Sequence, residues 1–276
     1  MCSEKSVLIV ILNYKTCHMT LDLIGQLQLL NYNNFTVMVI DNASPDGSGK
    51  LLAQKANEYG FIFFENKQNN GYAAGNNIGL RYAFEKGYDY AWILNSDVLV
   101  KDADCLKKMI AVGEECNRVA CIGPQIVDLN GNYTFPYLTR PTMWMLTFGE
   151  FFEKKHRKKY VGVSGEVYRV HGCSILLKVP TIASVGYLDE RTFLYREEEI
   201  LAEKLLSKGY ICYYCANTRV THLESASVKT SLKKDRKKLS IILDSAAIYL
   251  RDYREFSFFS FAIYKIYRTM KFYLRG

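Results

Sequence analysis

No stretch of this 276-residue sequence approaches the eighteen or so uninterrupted apolar residues of a membrane span. The first residues, MCSEKSVLIVIL, lack the basic region, long apolar segment and small-residue cleavage site of an export signal, so the expected location is the cytoplasm. Internal repeats and low-complexity segments are missing, which sets aside repeat architectures. A disulfide framework is missing too: the eight cysteines are scattered, mostly inside apolar segments, as suits reduced, buried thiols. Cys212 and Cys215 form a CxxC, but no second pair lies at zinc-site spacing, and YICYYCANT reads as a packed strand. The glycines of NNGYAAGNNIGL fall at 71, 75 and 79, off the spacing of a dinucleotide-binding GxGxxG, which disfavours that cofactor site.

What is present is a composition 49% hydrophobic, enough for one large core or two small ones. Charge is uneven. From Lys229 onward there are twelve basic and four acidic residues, so the whole formal excess of +8 lies in that tail and residues 1–228 are neutral overall.

Periodicity gives the architecture. VLIVIL (7–12), VMVI (37–40), FIFF (61–64) and YAWIL (90–94) read as strands. Residues 20–30, 50–60, 74–86 and 103–116 read as helices, with Gly60 and Gly87 as stops. The alternation implies βαβ units in a mainly parallel sheet covered on both faces. Between 123 and 165 the sequence is turn-rich and aromatic, so loops and one short helix are expected. Residues 167–179 then read as a strand, 197–208 as a helix, and YICYYC and RVTH as two short strands.

Ligands of such sheets bind beyond the carboxyl ends of the strands. Those ends carry Asn13 and Tyr14, then Asp41, Asn42 and nearby Ser44, then Asn95, Ser96 and Asp97. Asp41 suits a hydrogen-bond acceptor for a base or ribose, or else a turn cap. Asp97 suits a carboxylate that holds Mg²⁺ or Mn²⁺ and leaves most of the coordination sphere to phosphate and water, or else a turn residue. In NNGYAAGNNIGL, Asn70, Gly71 and Asn76 lie where a helix begins, and their amides suit a phosphate or nucleoside; a plain helix-entry loop is the alternative. On the helix after Arg196, Glu198 continues the apolar stripe of Leu201, Ala202, Leu205 and Leu206, with Glu197 and Glu199 on either side. A carboxylate so placed has its pKa raised toward that of a general base, although a first helical turn also favours solvated acids.

The motifs ILNY, VIDNASPDGS, NNGYAAGNNIGL, WILNSDV, HGCSILLK and DERTFLYREEEI, in this order over roughly the first 225 residues, resemble family 2 glycosyltransferases. The nearest resemblance is to the rhamnosyltransferase-like bacterial members that build surface polysaccharides. It implies the A-type nucleotide-sugar (GT-A) fold, a divalent metal, and inverting transfer from a nucleotide-diphosphate sugar to a glycan or lipid-linked glycan hydroxyl. Asp41 then matches the nucleotide-binding aspartate, Asn95 and Asp97 the ends of the DxD, Glu198 the catalytic base, and His222 a position completing metal or pyrophosphate binding. His171 matches a position on the acceptor side. Asn95 departs from the pattern, because an amide supplies no charge, which leaves Asp97 as the metal-holding carboxylate. Two other readings stand beside this one: a silent sugar-nucleotide-binding paralogue, and a metal-dependent nucleotidyltransferase sharing the nucleotide half.

The expected organisation is a catalytic domain over 1–228, with a nucleotide-sugar half (1–122) and an acceptor half (123–228), followed by a basic, aromatic helical tail (229–276). Trp144 and the basic run KKHRKK read as a cover for the acceptor or as a solvated loop. In the tail, Lys265, Arg268, Lys271 and Arg275 share one helical face, the pattern of an interfacial helix on anionic lipid, such as the inner face of the cytoplasmic membrane. Packing on the catalytic domain or on a second copy of the chain fits equally. Nucleic acid is not an expected partner, since no binding fold accompanies the basic residues.

Overall fold

In the computed structural model, which describes residues 4–134, 136–149, 162–223 and 236–274, the first third alternates as expected. It runs β1 (Val7–Asn13), α1 (Cys17–Leu27), β2 (Phe35–Asp41), α2 (Ser48–Tyr59), β3 (Ile62–Glu65), α3 (Tyr72–Glu85), β4 (Tyr90–Asn95), β5 (Val98–Leu99) and α4 (Cys105–Glu115). There follow β6 (Val119–Val127), β7 (Tyr133–Thr134), α5 (Met143–Phe148), β8 (Gly165–Val167), β9 (Ser174–Lys178), α6 (Val179–Ser184), α7 (Glu197–Leu206) and β10 (Ile211–His222). The C-terminal segment holds α8 (Arg236–Ile248), a π-turn (Tyr249–Tyr253) and α9 (Phe258–Leu274). The run KKHRKK and Arg275 lie outside the described residues.

One sheet carries the order β3-β2-β1-β4-β9-β6-β10-β5. β3, β2, β1 and β4 are parallel, and β9 enters antiparallel between β4 and β6. β1 alternates its side chains between two cores. Val7, Ile9 and Ile11 join Leu23, Leu27 and Met109 on one face; Leu8 and Val10 join Leu80 and Ala83 of α3 on the other. The glycines at 75 and 79 serve this second interface. A Cβ at Gly79 would fall 2.6 Å from Val10 Cγ1, and one at Gly75 would fall 2.5 Å from Leu12 Cδ1. α3 therefore lies closer to β1 than any other residue would permit. Gly60 ends α2 in the left-handed region (φ 70°), as its position in the sequence predicts.

Four expectations change. The loop expected from 123 begins only after Val127, because β6 continues through Gly123 and Pro124. Pro124 donates no hydrogen bond, and the pairing with β10 slips there: Cys215 faces Pro124, but Arg219 faces the next residue, Gln125. This bulge lets YICYYC and RVTH form one strand in place of two. The strand expected over 167–179 is interrupted by a turn at His171–Cys173 and replaced after Lys178 by α6. Leu206 leaves the apolar stripe of α7 and is 40% exposed, while Leu201, Ala202 and Leu205 enter the second core.

The C-terminal segment packs against α7. Ile200, Ala246, Tyr249, Leu250 and Tyr264 form a third, smaller core. No helix among the described residues is long and apolar enough to cross a membrane.

Candidate active site

The carboxyl end of β4 passes through Asn95 and Ser96 into Asp97, after which β5 turns antiparallel to the end of β10 and pairs Val98 with His222. That pairing places His222 Nε2 3.3 Å from Asp97 Oδ2, with the Asp97 carboxylate only 8% exposed. The Leu223 amide also donates to the Asp97 carbonyl oxygen. The His171 ring lies edge-on to His222, with centroids 5.5 Å apart. Its Nδ1 accepts from the Cys173 amide at 3.2 Å, which leaves the proton of the neutral ring on Nε2.

The turn at 171–173 is the meeting point. The Gly172 amide donates to Glu198 Oε1 at 2.9 Å, the Gly172 carbonyl accepts from the Tyr72 hydroxyl at 2.7 Å, and the Cys173 carbonyl accepts from the Asn95 amide. Gly172 gives the Glu198 carboxylate its room: a Cβ here would stand 2.9 Å from Glu198 Cδ and displace it. The interruption in the predicted strand is thus where Tyr72, Asn95 and Glu198 meet.

The three glutamates at the start of α7 take three environments. Glu197 is 5% exposed, and its Oε1 has no hydrogen-bond partner among the described residues. Burial, then the neighbouring Glu198 charge, lifts its pKa to about 8. Glu198 is half-buried, the least covered of the three. Burial raises its pKa as well, with Arg169 opposing and Glu199 assisting. For Glu199, burial is outweighed by the Arg169 and Arg196 guanidiniums, which hold the carboxyl below its ordinary value. Arg169 Nε lies 3.4 Å and Arg196 Nη1 2.9 Å from Glu199 Oε1. The solvated first turn is therefore not what forms: two of these acids are buried, and the third is half-buried.

At the other strand ends, Asp41 is fully buried. Its oxygens accept from Asn13 Nδ2 (2.6 Å), the Ser44 hydroxyl (2.7 Å) and the Ser44 amide (2.8 Å). Asn42 is buried and donates to Asn69 and to the Gly71 carbonyl. Of the residues expected at these strand ends, Tyr14 and Asn70 are exposed and Ser44 is half-buried. Ser96 shares a hydrogen bond with Thr16, and Asn76 donates to the Tyr72 carbonyl. The two amides opening α3 are engaged: Gly71 donates to Asn69 Oδ1 and Tyr72 to the Phe193 carbonyl. Through the Tyr72 amide the start of α3 is also joined to the loop leading to α7.

The structure thus gathers Asp97, His222, His171, Glu198 and Glu197 around Tyr72 and Gly172, and keeps Asn13, Asp41, Asn42 and Ser44 as a second cluster. Tyr72, Gly172, Arg169 and Arg196 were missed in the sequence. Only Arg196 carried a signal, as a lone cation directly before three acids. Among the described residues, no group of three His, Cys, Asp or Glu side chains forms a metal site. The Asp97–His222 pair still offers one oxygen and one nitrogen donor side by side, a set that fits a divalent cation taking its other ligands from phosphate and water.

Residues 6–179 match the family model described as Glycosyl transferase family 2. Among curated proteins, the low-salt glycan biosynthesis hexosyltransferase Agl10 of Haloferax volcanii is 25% identical over 168 residues, covering 58% of this chain and 50% of its own length. Galactofuranosyltransferase GlfT1 of Mycobacterium tuberculosis is 22% identical over 191 residues, covering 67% and 60%. The chain thus spans about half to three-fifths of the length of these relatives. Among solved structures, the mannosyltransferase PcManGT from Pyrobaculum calidifontis, in complex with GDP-Man and Mn²⁺, superposes with a TM-score of 0.64 at 15% identity, covering 91% of this chain and 66% of that one.

Proposed function

Since the chain belongs to glycosyl transferase family 2 and has the A-type fold of such enzymes, we propose that it transfers a sugar from a nucleotide-diphosphate donor to an acceptor hydroxyl with inversion. The observation that carries this reading is the convergence of the Asp97–His222 pair and the half-buried Glu198 on one three-residue turn. Glu198 takes the proton of the acceptor hydroxyl as that oxygen bonds to the anomeric carbon; the bond from that carbon to the diphosphate breaks, and the nucleoside diphosphate leaves with its electron pair. Asp97 and His222 would hold a divalent cation, Mg²⁺ or Mn²⁺, whose positive charge would stabilise the departing diphosphate. Glu197, uncharged below about pH 8, spares the base a second full negative charge at its side.

On the nucleotide side, Tyr14, Asn70 and the half-buried Ser44 are the residues offered for contact, with Asp41 and Asn13 holding Ser44 from below, Asn42 and Asn76 behind them, and Asn95 and Ser96 leading into the metal pair. The acceptor in this reading is a glycan or lipid-linked glycan in surface polysaccharide synthesis; the similarity to a glycan-biosynthesis hexosyltransferase supports a glycan product.

A melting-temperature panel of nucleoside diphosphates and nucleotide sugars, with and without Mn²⁺, tests the proposal, because a ligand of the folded state stabilises it by mass action. One nucleotide is expected to raise the melting temperature, more with Mn²⁺ than without, and Asp97→Ala to remove the metal-dependent part. No response to any nucleotide refutes the reading.

A further inference from the structure

Two hydrogen bonds meet at Gly172 from opposite sides. Its amide donates to Glu198 Oε1 at 2.9 Å, and its carbonyl accepts from the Tyr72 hydroxyl at 2.7 Å, the only bond that reaches that carbonyl among the described residues. A glycine has no side chain to restrict its peptide planes, so Gly172 takes its orientation from these partners. Tyr72 also holds the other approach to Glu198. Its amide donates at 2.9 Å to the carbonyl of Phe193, in the loop that runs into α7, and Gly71 packs so close that a Cβ there would fall 2.7 Å from Phe193 Cα. This end of α3 is itself anchored on the sheet. Asn42, just beyond β2, donates to Asn69 Oδ1 and to the Gly71 carbonyl, and Asn69 Oδ1 accepts from the Gly71 amide. Burial, then the nearby charges of Glu198 and Glu197, raises the Tyr72 pKa well above its ordinary value, so the hydroxyl keeps its proton and donates.

We propose that Tyr72 is a positioning residue for Glu198: its hydroxyl, through the peptide groups of Gly172, fixes the place of the base carboxylate. The inference rests on the proposed transfer for the role of Glu198 as base, while the contacts themselves stand without it. Removing the hydroxyl leaves the Gly172 carbonyl without its donor, and the peptide turns to find another, drawing the Gly172 amide away from Glu198 Oε1. A displacement of about 1 Å at a reacting group costs about a hundredfold in rate. The ring is not what does this. It packs against the second core, and phenylalanine keeps that packing while removing the hydroxyl alone.

Full-length Tyr72→Phe is compared with wild type and with Tyr32→Phe, which removes a hydroxyl-to-carbonyl bond of the same kind, from Tyr32 to Lys5, away from the site. Amide exchange, followed by mass spectrometry without nucleotide or metal, is expected to quicken over residues 170–174 in Tyr72→Phe and to keep the wild-type rate there in Tyr32→Phe. Turnover is read as nucleoside diphosphate released from the nucleotide sugar that raises the melting temperature. Tyr72→Phe should lose about 10–100-fold in kcat, with donor KM and the nucleotide-induced rise in melting temperature unchanged. The acidic limb of its kcat profile should also move to higher pH. The Gly172 amide lowers the Glu198 pKa and is lost, while Arg169, Glu199 and Glu197, the charged groups around that carboxylate, remain. A merely structural hydroxyl would lower the melting temperature, as in Tyr32→Phe, and move neither kcat nor the profile. Two results overturn the proposal: exchange over 170–174 unchanged in Tyr72→Phe, or faster exchange there with kcat and the acidic limb as in wild type. A wild-type protein that no nucleotide stabilises sinks the transfer reading instead, and the exchange result then decides on the Tyr72 contact by itself.

Discussion

Glu197→Gln probes the cost of burying a carboxyl beside Glu198, the proposed base. The wild-type side chain is held in an apolar setting that lifts its pKa from the ordinary 4.5 to about 8. Between those two values the unfolded chain has lost this proton and the folded chain keeps it, so unfolding releases a proton and stability falls as pH rises. The slope is about 1.4 kcal/mol per pH unit, which accumulates to as much as about 5 kcal/mol by pH 8 and then levels off. Glutamine keeps the shape and has nothing to titrate. The two proteins should therefore be close in stability near pH 5, and the variant should become progressively the more stable one up to pH 8. Urea unfolding of both proteins at each pH from 5 to 9, in the absence of metal and nucleotide, gives the difference, into which the charges of Glu198 and Glu199, both acting on Glu197, enter as well. A stability difference that is constant over this range, or that shrinks as pH rises, refutes the argument that Glu197 is folded in its neutral form.

Glu198→Gln should behave differently, retaining its melting temperature because the amide oxygen still accepts from Gly172, but losing kcat by about 10²–10⁴-fold with donor KM unchanged; a variant as fast as wild type leaves the reaction without this base. Gly172→Ala forces a Cβ to within 2.9 Å of Glu198 Cδ, so steady-state assays should show a kcat loss of about a hundredfold from a displaced base, and full activity would mean that the carboxylate works elsewhere. Tyr264→Phe removes the hydroxyl that accepts from Arg196 and should cost about 1.5–3 kcal/mol in chemical denaturation, with faster amide exchange over residues 193–200; unchanged exchange there would separate α9 from the catalytic helix.

The sheet was legible because β1, β2 and β4 are apolar on both faces and the helices between them are periodic, so local pattern and tertiary role agree. Pattern failed where tertiary pairing overrode it. Gly123 and Pro124 read as turn residues, yet β6 passes through them because β10 bulges opposite the proline. HGCSILLK read as continuous strand, yet its first three residues form the turn on which the site is assembled. Asp97 and His222 are far apart in sequence and meet through a two-residue antiparallel pairing that no local signal announces. The glycines at 71, 75 and 79 were visible, but their purpose was not: two permit helix–strand contact, and Gly71 lies in the left-handed region (φ 93°) against the Phe193 backbone. On α9 the shared face of Lys265, Arg268 and Lys271 was readable, whereas which face turns inward depends on Tyr249, Tyr264 and α7 meeting in the third core.

The entry to α7 explains why a C-terminal segment is built onto this fold. Tyr195 (φ 76°) and Arg196 (φ 74°) are consecutive non-glycine residues in the left-handed region, a conformation that costs about 1–3 kcal/mol at each position and persists only where the surroundings over-determine it. The constraint is visible on Arg196. Its guanidinium donates to Glu199 and to the Tyr264 hydroxyl, and lies 5.6 Å from the centre of the Tyr249 ring. Two of these three holding groups come from beyond residue 236. The reversal they secure directs Glu199 to its arginines, Glu197 into the interior and Glu198 to Gly172, so the relative placement of the carboxylates is fixed from outside the stretch that matches the family model. The sheet and the Asp97–His222 pairing make no use of these contacts. Nucleotide and metal binding should then be properties of the sheet edge, and proton removal a property of the sheet edge and the C-terminal helices together.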